Sequence, residues 1–157
     1  MKIGIGYDIH PFASGRPLVL GGVRIPHEAG LAGHSDADVL THAVIDALLG
    51  AAALGDIGQH FPTDDPRYRD ASSLDLLRRT VELVAGAGCR VVNVDATVVA
   101  EAPKLAPHIE PMRSALAEVL SVEQGAVSVK ATTADRLGAL GRGEGIAALA
   151  IVLLDST

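Results

Sequence analysis

Asp8, His10 and His42 are the residues whose types and spacing most directly suggest chemistry. Asp8 and His10 lie two residues apart at the end of a β-prone run, and a strand directs residues i and i+2 to the same face. His42 lies within a segment of helical spacing, on a different element. Three protein ligands that leave one coordination position open are typical of catalytic zinc. The pattern therefore predicts a zinc site; the alternative is that the histidines are ordinary hydrogen-bonded residues, because an Asp-x-His pair alone is weak evidence.

Two carboxylates flank His42 along the predicted helix. Asp38 and Asp46 lie four residues to either side, which places all three on one helical face. A carboxylate there can accept the second ring N–H of His42 and fix its tautomer. The alternative is that both carboxylates only solvate the helix surface.

His34 and Ser35 lie at the predicted start of that helix. Asp38 follows Ser35 by three residues, an acidic variant of the capping box, so we expect Ser35 to cap the helix. Free N–H groups at a helix N-terminus also favour phosphate. His34 has no evident structural role, and polar loop residues often carry function, so it is a candidate ligand contact.

Two further polar segments follow predicted strands. Thr132, Thr133 and Asp135 end one of them with hydroxyls and a carboxylate, which suit phosphate or a hard cation such as Mg²⁺, although threonine is also common in strands. Lys104 lies in a turn of small residues, and its ammonium could neutralise phosphate charge. The alternative for Lys104 is an ordinary solvated lysine.

Three possible nucleophiles lack the partners that nucleophilic catalysis needs. Ser72, Ser73 and Cys89 have no adjacent base and orienting group in the sequence pattern. We interpret them as cap and packing residues, and we predict no protein nucleophile.

Composition and charge exclude several classes of protein. The 157 residues suffice for one domain with a substantial core, and 48% of them are hydrophobic but only 3% aromatic. A net charge of −6 argues against nucleic-acid binding, which needs many Lys or Arg contacts to phosphate. One cysteine excludes an internal disulfide framework, and we find no targeting signal and no apolar run long enough for a bilayer. We expect a cytoplasmic protein without membrane or nucleic-acid partners.

Hydrophobic periodicity and turn residues predict the order of elements. Helices are predicted from Ser35 to about residue 50, from Ser72 to about residue 86, and over 107–121, and a polar loop over 55–70. Strands are predicted over 2–7, 90–100, 126–133 and 146–154, with a hairpin over 18–25. This order predicts an α+β fold: one domain over 1–157, with a mixed β-sheet, helices layered on one face, and a small N-terminal hairpin.

Several motifs together resemble one enzyme family. They are Gly4 to His10, Gly33 to Asp38, Leu54 to Gly58, Ala102 to Lys104, Lys130 to Thr133, and Gly141 to Gly145. In this order, across the whole chain, they resemble the 2-C-methyl-D-erythritol 2,4-cyclodiphosphate synthases of non-mevalonate isoprenoid and terpenoid biosynthesis. The resemblance implies a phosphorus–oxygen lyase that cyclises 4-diphosphocytidyl-2-C-methyl-D-erythritol 2-phosphate and releases CMP.

The resemblance also implies a set of site residues. Asp8, His10 and His42 would bind Zn²⁺ or another divalent transition metal, while His34 and Thr133 would stabilise the transition state. The implied substrate contacts are Asp8, His10, His34, Ser35, Asp56, Ile57, Gly58, Phe61, Pro62, Thr63, Asp64, Asp65, Ala100, Glu101, Ala102, Pro103, Lys104, Leu105, Ala106, Ala131, Thr132, Thr133, Asp135 and Arg142.

The same resemblance implies partners and a second ion. A homotrimer would carry active sites between its subunits, and a central channel could take an isoprenoid diphosphate. A second divalent ion, Mg²⁺ or Mn²⁺, would bind with the substrate diphosphate. Three positions depart from the family pattern: Ala139 replaces a usual Phe, Asp135 replaces a usual Glu, and Thr63-Asp64 reverses a usual Asp-Thr order.

Two other functions fit the same residues. A zinc-dependent phosphohydrolase would use the open metal position to activate water, which the same three ligands permit. A non-catalytic trimer that binds isoprenoid diphosphates would use Arg142 and Glu144 around its axis.

Overall fold

A computed structural model describes residues 1–157 and confirms the α+β class. The strands are β1 (Lys2–Ala13), β2 (Leu18–Leu20), β3 (Val23–Ile25), β4 (Gly30–Leu31), β5 (Cys89–Val99), β6 (Val127–Thr132) and β7 (Gly145–Ser156). The helices are α1 (Val39–Ala51), α2 (Ile57–His60), α3 (Ser73–Gly86), α4 (Ile109–Leu120) and α5 (Gly138–Gly141). None of these helices combines the length and the apolar character that crossing a bilayer requires.

One mixed sheet organises the molecule. Its strand order is β4-β1-β7-β5-β6, and every pair is antiparallel except β5 and β6. The hairpin β2–β3 forms a separate two-stranded sheet, as its Gly21-Gly22 turn predicts. The long helices cover one face of the large sheet and enclose a single aliphatic core.

Glycines in β1 bring α1 unusually close to the sheet. A Cβ at Gly4 would lie 2.0 Å from the Ala47 carbonyl oxygen, and one at Gly6 would lie 1.9 Å from the Ala43 carbonyl oxygen. Alternation along the strand then places Asp8 on the same face as these glycines. The close approach of α1 therefore carries His42 directly to Asp8.

The opposite face of the sheet has no helix over it. Its exposed side chains include six large hydrophobic residues from the two central strands: Ile3, Ile5, Tyr7, Ile9, Leu149 and Ile151. Between 39% and 71% of each side chain is exposed. A contiguous apolar surface of this kind marks an interaction site.

Helix α1 begins later than its capping pattern predicts. Its N-cap is Asp38, whose carboxylate accepts the Thr41 N–H at 3.0 Å, so the expectation that Ser35 caps the helix is wrong. The same carboxylate accepts the backbone N–H groups of Gly21 and Gly22 at 2.9 and 2.7 Å. The hairpin turn thus selects Asp38, because it supplies donors that Ser35 does not meet.

The sequence patterns do not predict the shortest elements. The predicted loop 55–70 contains α2 and a 3₁₀ turn, Pro66–Tyr68, while β4 and α5 were not predicted. Elements of two to four residues are too short to show a hydrophobic period. Strand β1 continues past residue 7 as far as Ala13, which extends the ordered backbone under Asp8 and His10.

Candidate metal centre and adjoining cavity

Asp8, His10 and His42 meet at one point, where the metal-site pattern predicts that they do. Asp8 Oδ2 lies 2.8 Å from His10 Nε2 and 3.1 Å from His42 Nδ1, and the two nitrogens are 3.3 Å apart. Ligands of a tetrahedral Zn²⁺ with bonds of about 2.0 Å are separated by roughly 3.3 Å. The three atoms therefore outline one face of a coordination tetrahedron.

Hydrogen bonds behind the triad orient each imidazole. The Nδ1–H of His10 donates to the Ala32 carbonyl oxygen at 2.6 Å, which turns Nε2 toward Asp8 as the nitrogen that a metal ion would bind. The Nε2 of His42 lies 2.8 Å from Ser73 Oγ and 3.1 Å from Ser35 Oγ. Outer partners of this kind are usual around protein metal ligands.

The prediction that Asp38 or Asp46 orients His42 is wrong. The Asp38 carboxylate caps α1, and the Asp46 carboxylate accepts the Ile57 N–H at 2.8 Å instead. The simple alternative of two solvated carboxylates fails as well for Asp38, which is fully buried. Helical spacing identifies neighbours on one helix, whereas the partners of His42 come from outside it.

The charge state of the triad suits a cation. Burial raises the pKa of Asp8, but hydrogen bonds from His10 and His42 outweigh it and lower that pKa to about 2. Burial lowers the pKa of His10, and the hydrogen bond to Asp8 more than compensates, so the pKa of His10 is raised. Asp8 is therefore an anion at neutral pH, and a divalent ion can displace the proton that His10 would otherwise hold.

A cavity of about 190 Å³ opens beside the triad. Its walls bring together nine of the predicted site residues: Asp8, His10, His34, Ser35, His42, Ile57, Gly58, Phe61 and Thr63. Tyr68 and Leu76 also line it and were not predicted, because a lone aromatic and a residue on the apolar stripe of α3 carry no motif. The cavity thus joins a charged end at the triad to an apolar wall.

Backbone contacts hold His34 and Ser35 at the rim of this cavity. The Arg16 guanidinium donates to the Gly33 and Ser35 carbonyl oxygens at 2.7 and 2.6 Å. The His34 ring contacts the Asp65 carbonyl oxygen through Nε2 at 3.0 Å, which ties it to the segment 61–65. Arg16 is a positioning residue that sequence reasoning missed, since no local motif links it to residues 33–35.

Ile57 and Gly58 line the cavity, and hydrogen bonds to two aspartates hold the start of their helix. Asp56 caps the short helix α2 by accepting the Gln59 N–H at 3.0 Å. Asp46 anchors the first residue of that helix, Ile57. Burial raises the pKa of Asp46, although the bond from Ile57 opposes that shift.

A second group of predicted residues gathers at the ends of β5 and β6. Val99 pairs with Thr132, so β5 and β6 finish side by side, and the segments 100–106 and 131–135 lie at the same end of the sheet. Glu101 links them, because its Oε1 accepts the N–H groups of Ala134 and Arg136 at 2.9 and 3.2 Å. Neither segment lines the 190 Å³ cavity within one chain.

Strand order explains that separation. β6 lies three places from β1 in the sheet, and neighbouring strands are about 4.8 Å apart. Ile9 and Val99 both pair with Ala147, so the two groups lie at the same end of the sheet. The end of β5 is then roughly 10 Å from β1, and the end of β6 roughly 14 Å.

Comparison with known proteins identifies the family of this chain. The profile of the YgbB family matches residues 1–155. The chain belongs to the YgbB family. It is 58% identical over 156 residues to the 2-C-methyl-D-erythritol 2,4-cyclodiphosphate synthase of Syntrophobacter fumaroxidans, a match that covers 99% of this chain and 98% of that protein.

Solved structures agree with this YgbB-family assignment. A 2C-methyl-D-erythritol-2,4-cyclodiphosphate synthase in its CDP-bound form is 37% identical with a TM-score of 0.90, over 98% of this chain and 100% of that one. The bifunctional IspDF of Campylobacter jejuni is 42% identical with a TM-score of 0.96 over 99% of this chain. The match spans only 42% of that longer bifunctional chain.

Among the remaining predicted residues of this YgbB-family chain, Ala100 and Leu105 are buried, whereas Lys104, Thr133, Asp135 and Arg142 are exposed. Lys104 is exposed and has no ion pair. Thr133 Oγ1 accepts the Asp135 N–H at 3.2 Å, and Arg142 pairs with Glu144 at 2.5 Å. Ala139 lies in α5 and presents no aromatic surface there. These side chains are accessible to ligand from solvent.

Proposed function

We propose that this chain is a 2-C-methyl-D-erythritol 2,4-cyclodiphosphate synthase. It would convert 4-diphosphocytidyl-2-C-methyl-D-erythritol 2-phosphate to the cyclic diphosphate and release CMP. The observation that carries the proposal is the Asp8–His10–His42 triad beside a cavity with a polar rim and an apolar wall. The identity of 58% to a synthase of that name supports it.

The reaction is difficult because two anions must meet. A phosphate monoester attacks a diphosphate phosphorus of the same molecule, so catalysis depends mainly on positioning and charge neutralisation. A divalent ion such as Zn²⁺ at the triad, with a second ion such as Mg²⁺ or Mn²⁺ on the diphosphate, would supply Lewis-acid neutralisation of phosphate charge. No protein nucleophile is required for this step.

Individual residues take the positioning roles. Ser35 Oγ accepts the Ala37 N–H at 3.2 Å and lies near His42 Nε2, so its own hydrogen can donate to a substrate phosphate. We assign His34, at the cavity rim, to the attacking phosphate. Phe61 and Leu76 form an apolar wall that suits the methyl-bearing carbon chain of methylerythritol and excludes water beside it.

The diphosphate and cytidine would contact the second group of residues. We assign Lys104 and Thr133 to phosphate oxygens, Asp135 to the second ion, and the backbone of 100–106 to cytosine. Within one chain these residues lie too far across the sheet to share the cavity with the triad. A neighbouring copy that packs on the exposed apolar face would complete the site, which supports a homotrimer. An isoprenoid diphosphate near Arg142 and a cytoplasmic location stay predictions.

Product analysis tests the proposal. Incubation of the metal-loaded protein with the diphosphocytidyl substrate should yield one cyclic diphosphate per CMP, read by ³¹P NMR. His42→Ala should lower kcat/KM at least about 100-fold, because it removes a ligand of the ion that neutralises phosphate charge. His27→Ala, outside the cavity, should leave it unchanged.

Other products would support the other functions. A linear bisphosphate with CMP would show hydrolysis and contradict cyclisation. Tight binding of isoprenoid diphosphates without turnover of the cytidine substrate would favour a non-catalytic trimer.

A further inference from the structure

Two residues outside the triad form a hydrogen-bonded chain that ends on His42. Ser73, the first residue of α3, is fully buried, and its Oγ lies 2.8 Å from His42 Nε2. The Ser73 hydroxyl also donates to Asp36 Oδ1, and the Ser73 N–H donates to Asp36 Oδ2 at 3.0 Å. The chain thus runs from Asp36 through Ser73 to the imidazole.

Both oxygens of Asp36 act as acceptors. The Asp38 N–H donates to Oδ1 at 3.2 Å, and the Ser73 N–H donates to Oδ2. Backbone N–H groups can only donate, and an ionised carboxylate can only accept. The hydrogen between Ser73 and Asp36 therefore belongs to the serine.

This arrangement determines which nitrogen of His42 carries the proton. A serine hydroxyl has one hydrogen, and Ser73 uses it toward Asp36. Ser73 Oγ must then accept from His42, so Nε2 carries a hydrogen, and in the neutral ring Nδ1 keeps the lone pair that a metal ion would bind. Nδ1 is the atom that faces Asp8 at 3.1 Å.

Ser35 cannot impose the same direction. Its Oγ lies 3.1 Å from His42 Nε2 and accepts the Ala37 N–H, but its own hydrogen has no fixed acceptor within the chain. That hydrogen could turn toward either a ligand or the imidazole. Only Ser73 has its hydrogen committed to a carboxylate.

We propose that Asp36 and Ser73 are positioning residues that hold His42 in the tautomer whose Nδ1 lone pair binds the metal ion. This inference rests on the proposed metal centre at Asp8, His10 and His42. It assigns a role to Ser73, for which the sequence pattern indicates only capping or packing, and to Asp36, for which the sequence pattern indicates no role of its own. Outer partners of metal ligands typically contribute 10- to 100-fold to affinity, that is roughly 1.4 to 2.7 kcal/mol.

Asp36→Asn tests the direction of the chain with little change in shape. The amide oxygen would accept the Ser73 N–H, and the amide NH₂ would donate to Ser73 Oγ. The serine hydrogen would then turn toward His42 Nε2 and place the ring proton on Nδ1. We expect zinc affinity, measured by competition with a chromophoric chelator, to fall about 10- to 100-fold.

Ser73 variants provide independent tests. Ser73→Ala should weaken zinc binding by a similar factor, and Ser73→Thr, which keeps the hydroxyl, should recover most of it. Ser72→Ala is the matched control, because Ser72 is exposed and its side chain makes no capping hydrogen bond. Its zinc affinity should equal that of the wild type.

The ring tautomer gives a readout that a loss of packing would not produce. The ¹⁵N chemical shifts of the neutral His42 ring, recorded at high pH in the metal-free protein, should show hydrogen on Nε2 in the wild type and on Nδ1 in Asp36→Asn. An unchanged tautomer in Asp36→Asn would overturn the inference even if zinc affinity fell.

The outcomes separate this inference from the proposed function. Suppose that the wild type binds zinc and that His42→Ala abolishes binding. If Asp36→Asn and Ser73→Ala then bind zinc within twofold of the wild type, the positioning role of Asp36 and Ser73 is wrong and the metal centre stands. If the wild type itself binds no zinc, the metal centre fails and the inference with it.

Discussion

Aspartates of this chain show how neighbours decide what one residue type does. Asp8 faces two imidazoles in a cluster that could hold a metal ion, and its pKa is lowered to about 2. Asp36 accepts hydrogen bonds at both carboxylate oxygens, and one of these bonds fixes the direction of the Ser73 hydroxyl. Asp38 is fully buried without a cation, and burial raises its pKa. Side-chain chemistry therefore follows from the donors that each fold position supplies.

Asp38 gives a prediction at this scale. Its two oxygens accept four hydrogen bonds, from Gly21, Gly22 and twice from Thr41. In Asp38→Asn an amide NH₂ would replace one acceptor oxygen and face groups that also donate. The lost hydrogen bonds should lower the free energy of unfolding by about 1–3 kcal/mol. Urea denaturation of the metal-free protein measures it.

The control substitution is Asp75→Asn. Asp75 pairs with Arg78 on the surface, where 67% of its side chain is exposed, so its removal should cost less than about 1 kcal/mol. Equal losses for the two variants would contradict the special role of Asp38.

Elements place the metal ligands through close packing of α1 on β1. Gly6 has no side chain where the Ala43 carbonyl oxygen lies, and His42 immediately precedes Ala43 in the helix. The same closeness at Gly4 keeps the helix parallel to the strand surface over two turns. The geometry of the triad thus depends on two glycines that contact no ligand.

Gly6→Ala tests this dependence. The new Cβ would lie 1.9 Å from the Ala43 carbonyl oxygen, so α1 must shift outward. We expect the free energy of unfolding to fall by about 1–3 kcal/mol and zinc affinity to fall with it. Gly125→Ala, where a Cβ would meet nothing within 4 Å, should change neither. A Gly6→Ala protein with unaltered zinc affinity would show that the helix position does not control the site.

Sequence patterns predict the long elements and the triad, because alternation and helical period act over many residues. Asp8 and His10 share a face for that reason, and the prediction was correct. The patterns fail where tertiary contacts decide, as when the Gly21-Gly22 turn selects Asp38 rather than Ser35 as the cap. The sequence indicates only a cap or packing role for Ser73, because its partners Asp36 and His42 lie 37 and 31 residues away. No local spacing encodes such contacts.

The whole molecule presents one apolar sheet face that its own helices leave uncovered. Six large hydrophobic side chains on β1 and β7 are exposed there. The two groups of candidate site residues lie at the same end of the sheet but on strands that are not neighbours. Self-association through this face would bury the apolar side chains and could bring the segments 100–106 and 131–135 of one copy to the candidate metal centre of another.

Ile5→Glu tests that arrangement. Ile5 is 68% exposed at the centre of the face, and a buried unpaired carboxylate there would oppose association. We expect the mass from light scattering to fall from trimer to monomer and CMP release to fall at least tenfold. Zinc stoichiometry should persist, because all three ligands belong to one chain. Leu83→Glu, on α3 and 40% exposed, should leave mass and activity unchanged. A monomeric Ile5→Glu protein with full activity would show that one copy holds a complete site.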